Sequence, residues 1–318
     1  FFAAAGLAGL GVFPRLLPDP FVGLLAAVFL YAIGGGLIEV LVSPIVEACP
    51  TENKASVMSL LHSFYCWGSV GVILLSTLFL GAFGKSAWTV LALLWALLPL
   101  FNAFWFWRVP IARLTEEGEA LPLGKLFSQK LFWIFAALMV AAGACELSMS
   151  QWASAFAESG LGVSKTVGDL AGPCFFAVLM GCARVVYAKV GHKLNLLNAQ
   201  WMCGLLCVAA YLLAALSPVP VLALLGCGLC GFSVGILWPG TFSVAARYLP
   251  KGGTAMFALL ALFGDLGCTG GPTLVGFVSG AFGGELKMGL LAAVVFPVFL
   301  ILAVLVCKRT LAGGKEKS

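Results

Sequence analysis

Apolar residues fall in long runs, at roughly 21–47, 55–81, 87–107, 130–155, 167–188, 196–216, 219–246, 253–282 and 286–307, with short polar turns between most of them. A helix needs roughly 20 apolar residues to cross a bilayer, so the pattern predicts an all-α, multi-pass membrane protein. Phe1 to about Phe13 reads as the second half of another span, ended by Pro14-Arg15 and Pro18-Asp19-Pro20. The expectation is therefore about nine full spans plus part of another, in an N-terminally truncated chain. No basic segment and cleavage site mark a signal peptide.

Gly35–Gly71 lies over Gly235–Gly271 at an offset of 200 residues. Leu37 then matches Leu237, Ser43 matches Ser243, Leu60 matches Leu260, and the turn Pro50–Ala55 faces Pro250–Ala255. A second half that repeats the first is how transporters of paired bundles are built. The long polar connection from Arg108 to Lys130, with Glu116, Glu117 and Glu119, is the natural hinge. The expected organisation is a partial N-terminal bundle over 1–109, a cytoplasmic loop over 110–129, and a six-helix bundle with a short basic tail over 130–318. On the repeat, roughly two and a half helices are missing from the front.

Composition agrees with the pattern: 62% hydrophobic and 10% charged residues, with a mean hydropathy of +1.08. If the Pro50–Lys54 turn is cytoplasmic, 14 of the 18 Lys and Arg fall on that side, Arg184 counted among them. That is a positive-inside bias, so the net charge of +5 is a topology signal and not a nucleic-acid footprint. The 39 glycines suit close helix packing in lipid. Of the 11 cysteines only Cys49 and Cys307 sit at helix ends, which is no disulfide framework, and Cys227 and Cys230 read as small packing residues. No HExxH or paired metal-ligand motif appears, so an enzyme is disfavoured. No cofactor is expected.

Four acids and imidazoles inside spans carry the candidate chemistry. Glu39 stands where an ordinary membrane helix has Leu, and His62 lies on the next span at similar depth from the shared turn. Glu146 opens a polar stripe with Ser150, Ser154 and Glu158, flanked by Gln151 and Trp152. Asp265 precedes Thr269 and Gly270-Gly271-Pro272, which should weaken its helix. A carboxylate at the bilayer centre costs roughly 2.5–3.5 kcal/mol even on the lenient scale, so each is a functional candidate beside the alternative of a structural hydrogen bond. His192 reads as a solvated interface residue. Tyr65, Trp67, Trp152 and Trp238 fall inside spans near polar groups. Flat faces beside carboxylate, amide and imidazole groups suit a sugar-sized polyol, by stacking and hydrogen bonding.

Arg184…Lys189-Val-Gly191-His-Lys193 and the architecture resemble the major facilitator superfamily, with a degenerate copy of its interhelical basic motif. Gly34-Gly35-Gly36-Leu37-Ile38-Glu39…Ser43-Pro44, then Ser59–Phe64 and Trp67-Gly68, resemble the fucose:proton symporter group. The resemblance implies two pseudo-symmetric bundles and alternating access. It also implies a proton-coupling role for Glu39, with His62 standing where that group has glutamine and Tyr65 where it has asparagine. The reading is a secondary active transporter for a sugar or similar polar metabolite by proton symport, with the proton gradient as energy source. Proton coupling falls to Glu39 and His62, and substrate binding to Tyr65, Trp67, Glu146, Gln151, Trp152, Trp238 and Asp265. The lipid bilayer, protons and a small solute are its partners, nucleic acid is not, and a monomer in the plasma (bacterial inner) membrane is expected. The alternatives are an exporter of drugs or amphipathic metabolites and a non-transporting membrane sensor.

Overall fold

The computed structural model describes residues 1–112, 114, 120–160 and 162–315. Glu116, Glu117 and Glu119 of the expected hinge, and Arg113 and Lys317 of the basic-residue count, lie outside them, as does the side chain of His192. Among the described residues nine helical stretches are long and apolar enough to span a membrane: Pro20–Ala48, Lys54–Phe83, Lys85–Phe106, Lys130–Ser159, Lys165–Val190, Leu196–Leu216, Pro220–Tyr248, Pro250–Ala281 and Leu286–Ala312. Each matches an expected span to within a few residues. A shorter apolar helix, Phe2–Leu16, precedes them. It continues through Pro14, and Leu17 leaves it in an extended conformation. A proline removes the bond its own N–H would donate and crowds the carbonyl four residues back, and the helix ends within three residues of it.

The chain divides into two compact units. The first holds Phe1–Ala48 and Leu74–Arg113. Its helices touch through small residues: Gly34 lies against the backbone of Ala3, and Gly23 against the carbonyl of Phe13. Lipid provides no hydrophobic drive between helices, so such close backbone approach is what holds them. Trp95 Nε1 donates to Ser76 Oγ at 3.1 Å. Phe21, Phe29, Leu78, Phe101 and Trp105 are all exposed on this unit.

The second unit holds Cys49–Ile73 and Leu114–Ser318, so Lys54–Phe83 passes from one unit to the other. Its centre is the helix Lys130–Ser150, of whose 21 residues the buried ones include Phe135, Met139, Cys145 and Glu146. Gly253–Ala281 packs closest against it. Gly267 lies against the Val140 carbonyl and the Ala144 backbone, and Gly271 against Ser148 and Ala144. Both copies of the 200-residue offset form a helix, a turn and a helix, with turns at 49–53 and 249–252. They differ in one respect. Pro20–Ala48 is continuous, whereas the second copy is interrupted between Pro220–Val234 and Leu237–Tyr248. Pro239 sits in the first turn of Leu237–Tyr248, and without an N–H it cannot bond the Gly235 carbonyl four residues back.

The polar stripe expected from Glu146 to Glu158 does not run straight. The helix gives way at Gln151-Trp152, and a π-turn covers Phe156–Gly160. The four-residue register therefore breaks. Ser154 faces Lys165 and Asp169 instead, accepting from Lys165 Nζ at 2.9 Å, while that lysine pairs with Asp169 at 2.7 Å.

Candidate functional site

The site forms around Arg184, which sequence reading placed among the loop basics. It lies on the helix Phe175–Val190, six residues before its end, with only 2% of its surface accessible. Its Nε donates to the orphaned Gly235 carbonyl at 2.8 Å. One terminal nitrogen donates to the His62 carbonyl at 2.6 Å. The other meets Glu146 Oε2 at 3.5 Å, a long ion pair between two buried side chains. Ser59 Oγ, itself buried, donates to the Arg184 carbonyl at 2.8 Å. The Tyr65 ring lies against the guanidinium, 5.7 Å from Cζ to the ring centroid, and is 55% accessible. Arginine is the side chain suited to this position: its fork of five donors reaches several acceptors at once and its plane stacks on aromatic rings.

Three expected site residues therefore meet, His62, Tyr65 and Glu146, on two spans brought together by a third. Trp67 is beside them, its ring against Gly181. His62 lies 6.0 Å from the Phe242 ring, and Phe242 packs edge-on to Trp238 at 6.1 Å. Trp238 is buried, with its ring over Gly264. Asp265, the next residue, is part-buried. Trp152 and Gln151 stand apart, toward the far end of the Glu146 helix. The Trp152 indole donates to the Pro272 carbonyl at 3.0 Å and lies over Gly276, while Gln151 is exposed. Glu39 belongs to the first unit, part-buried on Pro20–Ala48.

The residue that sequence reading missed had a visible signal. Arg184 follows Ala183 inside an apolar run and lies well short of the Lys189–Lys193 loop, which marks it as an intramembrane charge. Gln200 was also passed over. It is fully buried and braces the start of Leu237–Tyr248, donating to the Leu237 carbonyl and to Thr241 Oγ1, both at 3.1 Å.

Among the described residues, nine apolar spans with a buried Arg184–Glu146 pair between two of them define a polytopic membrane protein. The chain matches the Major Facilitator Superfamily over residues 1–272 and belongs to that superfamily. It is a multi-pass transporter and not an enzyme. The E. coli fucose:proton symporter aligns with a TM-score of 0.78 at 15% identity, over 96% of this chain and 82% of that one. Another structure, of the superfamily transporter FucP in the outward conformation, aligns with a TM-score of 0.71 at 14% identity, over 96% and 81%. The human organic anion transporter MFSD10 aligns at 0.69 and 17% identity, over 95% and 75%. At these identities the likeness is one of fold. Among curated proteins none matches.

Proposed function

We propose that the chain imports a sugar or similar small polar metabolite by proton symport, with Glu39 as the proton-coupling carboxylate and His62 assisting it. The observation that carries this reading is the gathering of His62, Tyr65 and Glu146 around a buried arginine, inside spans where each charge is costly. The fold likeness to a fucose:proton symporter supports it, as does the Glu39 segment's resemblance to that group. Tyr65 and Trp67 are both accessible and offer flat faces for a sugar ring. Glu146, Gln151, Trp152, Trp238 and Asp265 complete the proposed substrate surface. Two bundles, joined by the polar loop over 110–129, alternate access to it.

Proton coupling follows from linkage. A carboxylate that is dry in one conformation and wet in another binds protons with different affinity in the two. A hundredfold difference biases the conformational equilibrium by roughly 2.7 kcal/mol. The test is Glu39→Gln in the full-length protein, reconstituted in vesicles. Counterflow exchange of solute should persist while accumulation driven by a proton gradient is lost. If the variant still concentrates solute with normal pH dependence, Glu39 is not the coupling residue. Proton-driven efflux in place of uptake would instead mark an exporter.

A further inference from the structure

The unusual feature of the Arg184 cluster is that its charge is balanced but its bonding is incomplete. Among the described residues Gly235, His62 and Glu146 take three of the five guanidinium N–H groups, and the weakly accepting Cys66 thiol is a fourth partner. Arg184 is 2% accessible, and the Glu146 contact is long at 3.5 Å. On one face the guanidinium is covered by Tyr65, a ring that is itself more than half accessible. Movement of one aromatic side chain would open a route to the arginine. Arginine donors held by weak or long contacts in a dry site are suited to a carboxylate, which they can grip with two parallel bonds.

We infer that the solute carries a carboxylate, which Arg184 takes while Glu146 takes a proton of its own, beside the one that the proposed reading assigns to Glu39. This rests on the proton-coupled uptake reading above. The argument is one of charge. In the empty site Arg184 and Glu146 sum to zero. If a neutral solute entered with a proton on Glu146, an unpaired guanidinium would be left in a site removed from water, which is strongly unfavourable. A carboxylate solute entering with the same proton leaves the sum at zero: the proton forms an O–H bond on Glu146, its pairing to Arg184 ends, and the solute carboxylate replaces it. No covalent bond of the solute changes. The groups facing Glu146 are consistent with this exchange. Arg184 is the charged group acting on it among the described residues. Tyr65 and Cys66 from the 49–73 segment lie within electrostatic reach of it, and Cys268 from Gly253–Ala281, with Asp265 one turn away, lies within reach of Tyr65.

The experiment is isothermal titration of the purified full-length protein with matched pairs: D-galacturonate against D-galactose, D-gluconate against D-glucitol, and lactate against propane-1,2-diol. Titrations run at pH 5.5 and at pH 8, where each acid stays ionised. At least one acid should bind tenfold or more tightly than its neutral twin, and at least fivefold more weakly at pH 8. Glu146→Gln, a stand-in for the protonated acid, should keep that binding and lose its pH dependence. Arg184→Gln alone leaves Glu146 buried without its cation, so the decisive variant is Arg184→Gln with Glu146→Gln, an uncharged pair of similar shape. It should lose acid binding tenfold or more, closing the gap between each acid and its neutral twin. Neutral twins binding as well as the acids, a double variant that keeps the acid, or no acid binding at all would each overturn the inference. Vesicles that accumulate a neutral solute under a proton gradient, with no acid competing, would overturn it and leave the uptake reading intact. Vesicles that accumulate neither kind would sink the uptake reading, while a tenfold preference for an acid in titration would still uphold the carboxylate site.

Discussion

Replacing one member of the Arg184–Glu146 pair should cost far more than replacing both. At 3.5 Å and an effective dielectric constant of about 20, the attraction is about 5 kcal/mol, most of it offset by the cost of taking two ions out of water. Glu146→Leu removes the attraction and leaves a buried guanidinium; Arg184→Met leaves a buried carboxylate. Either should destabilise the second unit by about 3–5 kcal/mol. Arg184→Met also strips the donor from the Gly235 carbonyl, which Pro239 already leaves without a helical partner; an unbonded buried carbonyl costs about 1–3 kcal/mol. In Arg184→Met with Glu146→Leu no orphan charge remains, so the total should fall to about 2–3 kcal/mol, and the coupling energy between the sites should exceed about 3 kcal/mol. The assay is equilibrium unfolding in mixed micelles, followed by circular dichroism on all four proteins. If the two single costs add to the double cost within about 0.5 kcal/mol, the pair is not coupled and the charge argument built on it fails.

The helix seam gives a second prediction. Gly267→Val puts side-chain atoms against the Val140 carbonyl and the Ala144 amide, and overpacking of about 1–3 kcal/mol or more should lower the yield of monodisperse protein after detergent extraction. Normal yield and thermal stability would show that the two helices can part. Trp152→Phe removes one indole bond, to the Pro272 carbonyl, and should cost about 1 kcal/mol in the same unfolding assay. Gln151→Ala and Trp152→Ala should raise the apparent substrate constant with membrane expression intact, and unchanged transport in both would assign the two residues to packing.

The spans were legible in the sequence because a bilayer imposes a length on every apolar run and leaves the backbone one way to satisfy itself, as helix. The intramembrane acids were legible for the same reason: a Glu in such a run stands out by its cost. Contacts between spans were not. Glu146 and Arg184 are 38 residues apart, and Arg184 and the His62 carbonyl 122; their meeting depends on how three helices are rotated and packed, which hydropathy does not encode. Arg184 was misread as a loop residue because it was counted with the basic run at Lys189–Lys193, although it stands on the helix six residues before its end. The break at Gly235 was foreshadowed by Pro239, but only the tertiary structure decided that the freed carbonyl would be held by an arginine from another span. The stripe from Glu146 to Ser154 failed because the helix gives way at Gln151-Trp152, and Ser154 turns to Lys165 and Asp169 instead. Helix identity is a local property of the chain and its solvent. Charge pairing is a property of packing, where the cost of each buried ion is balanced by a partner the sequence alone does not place beside it.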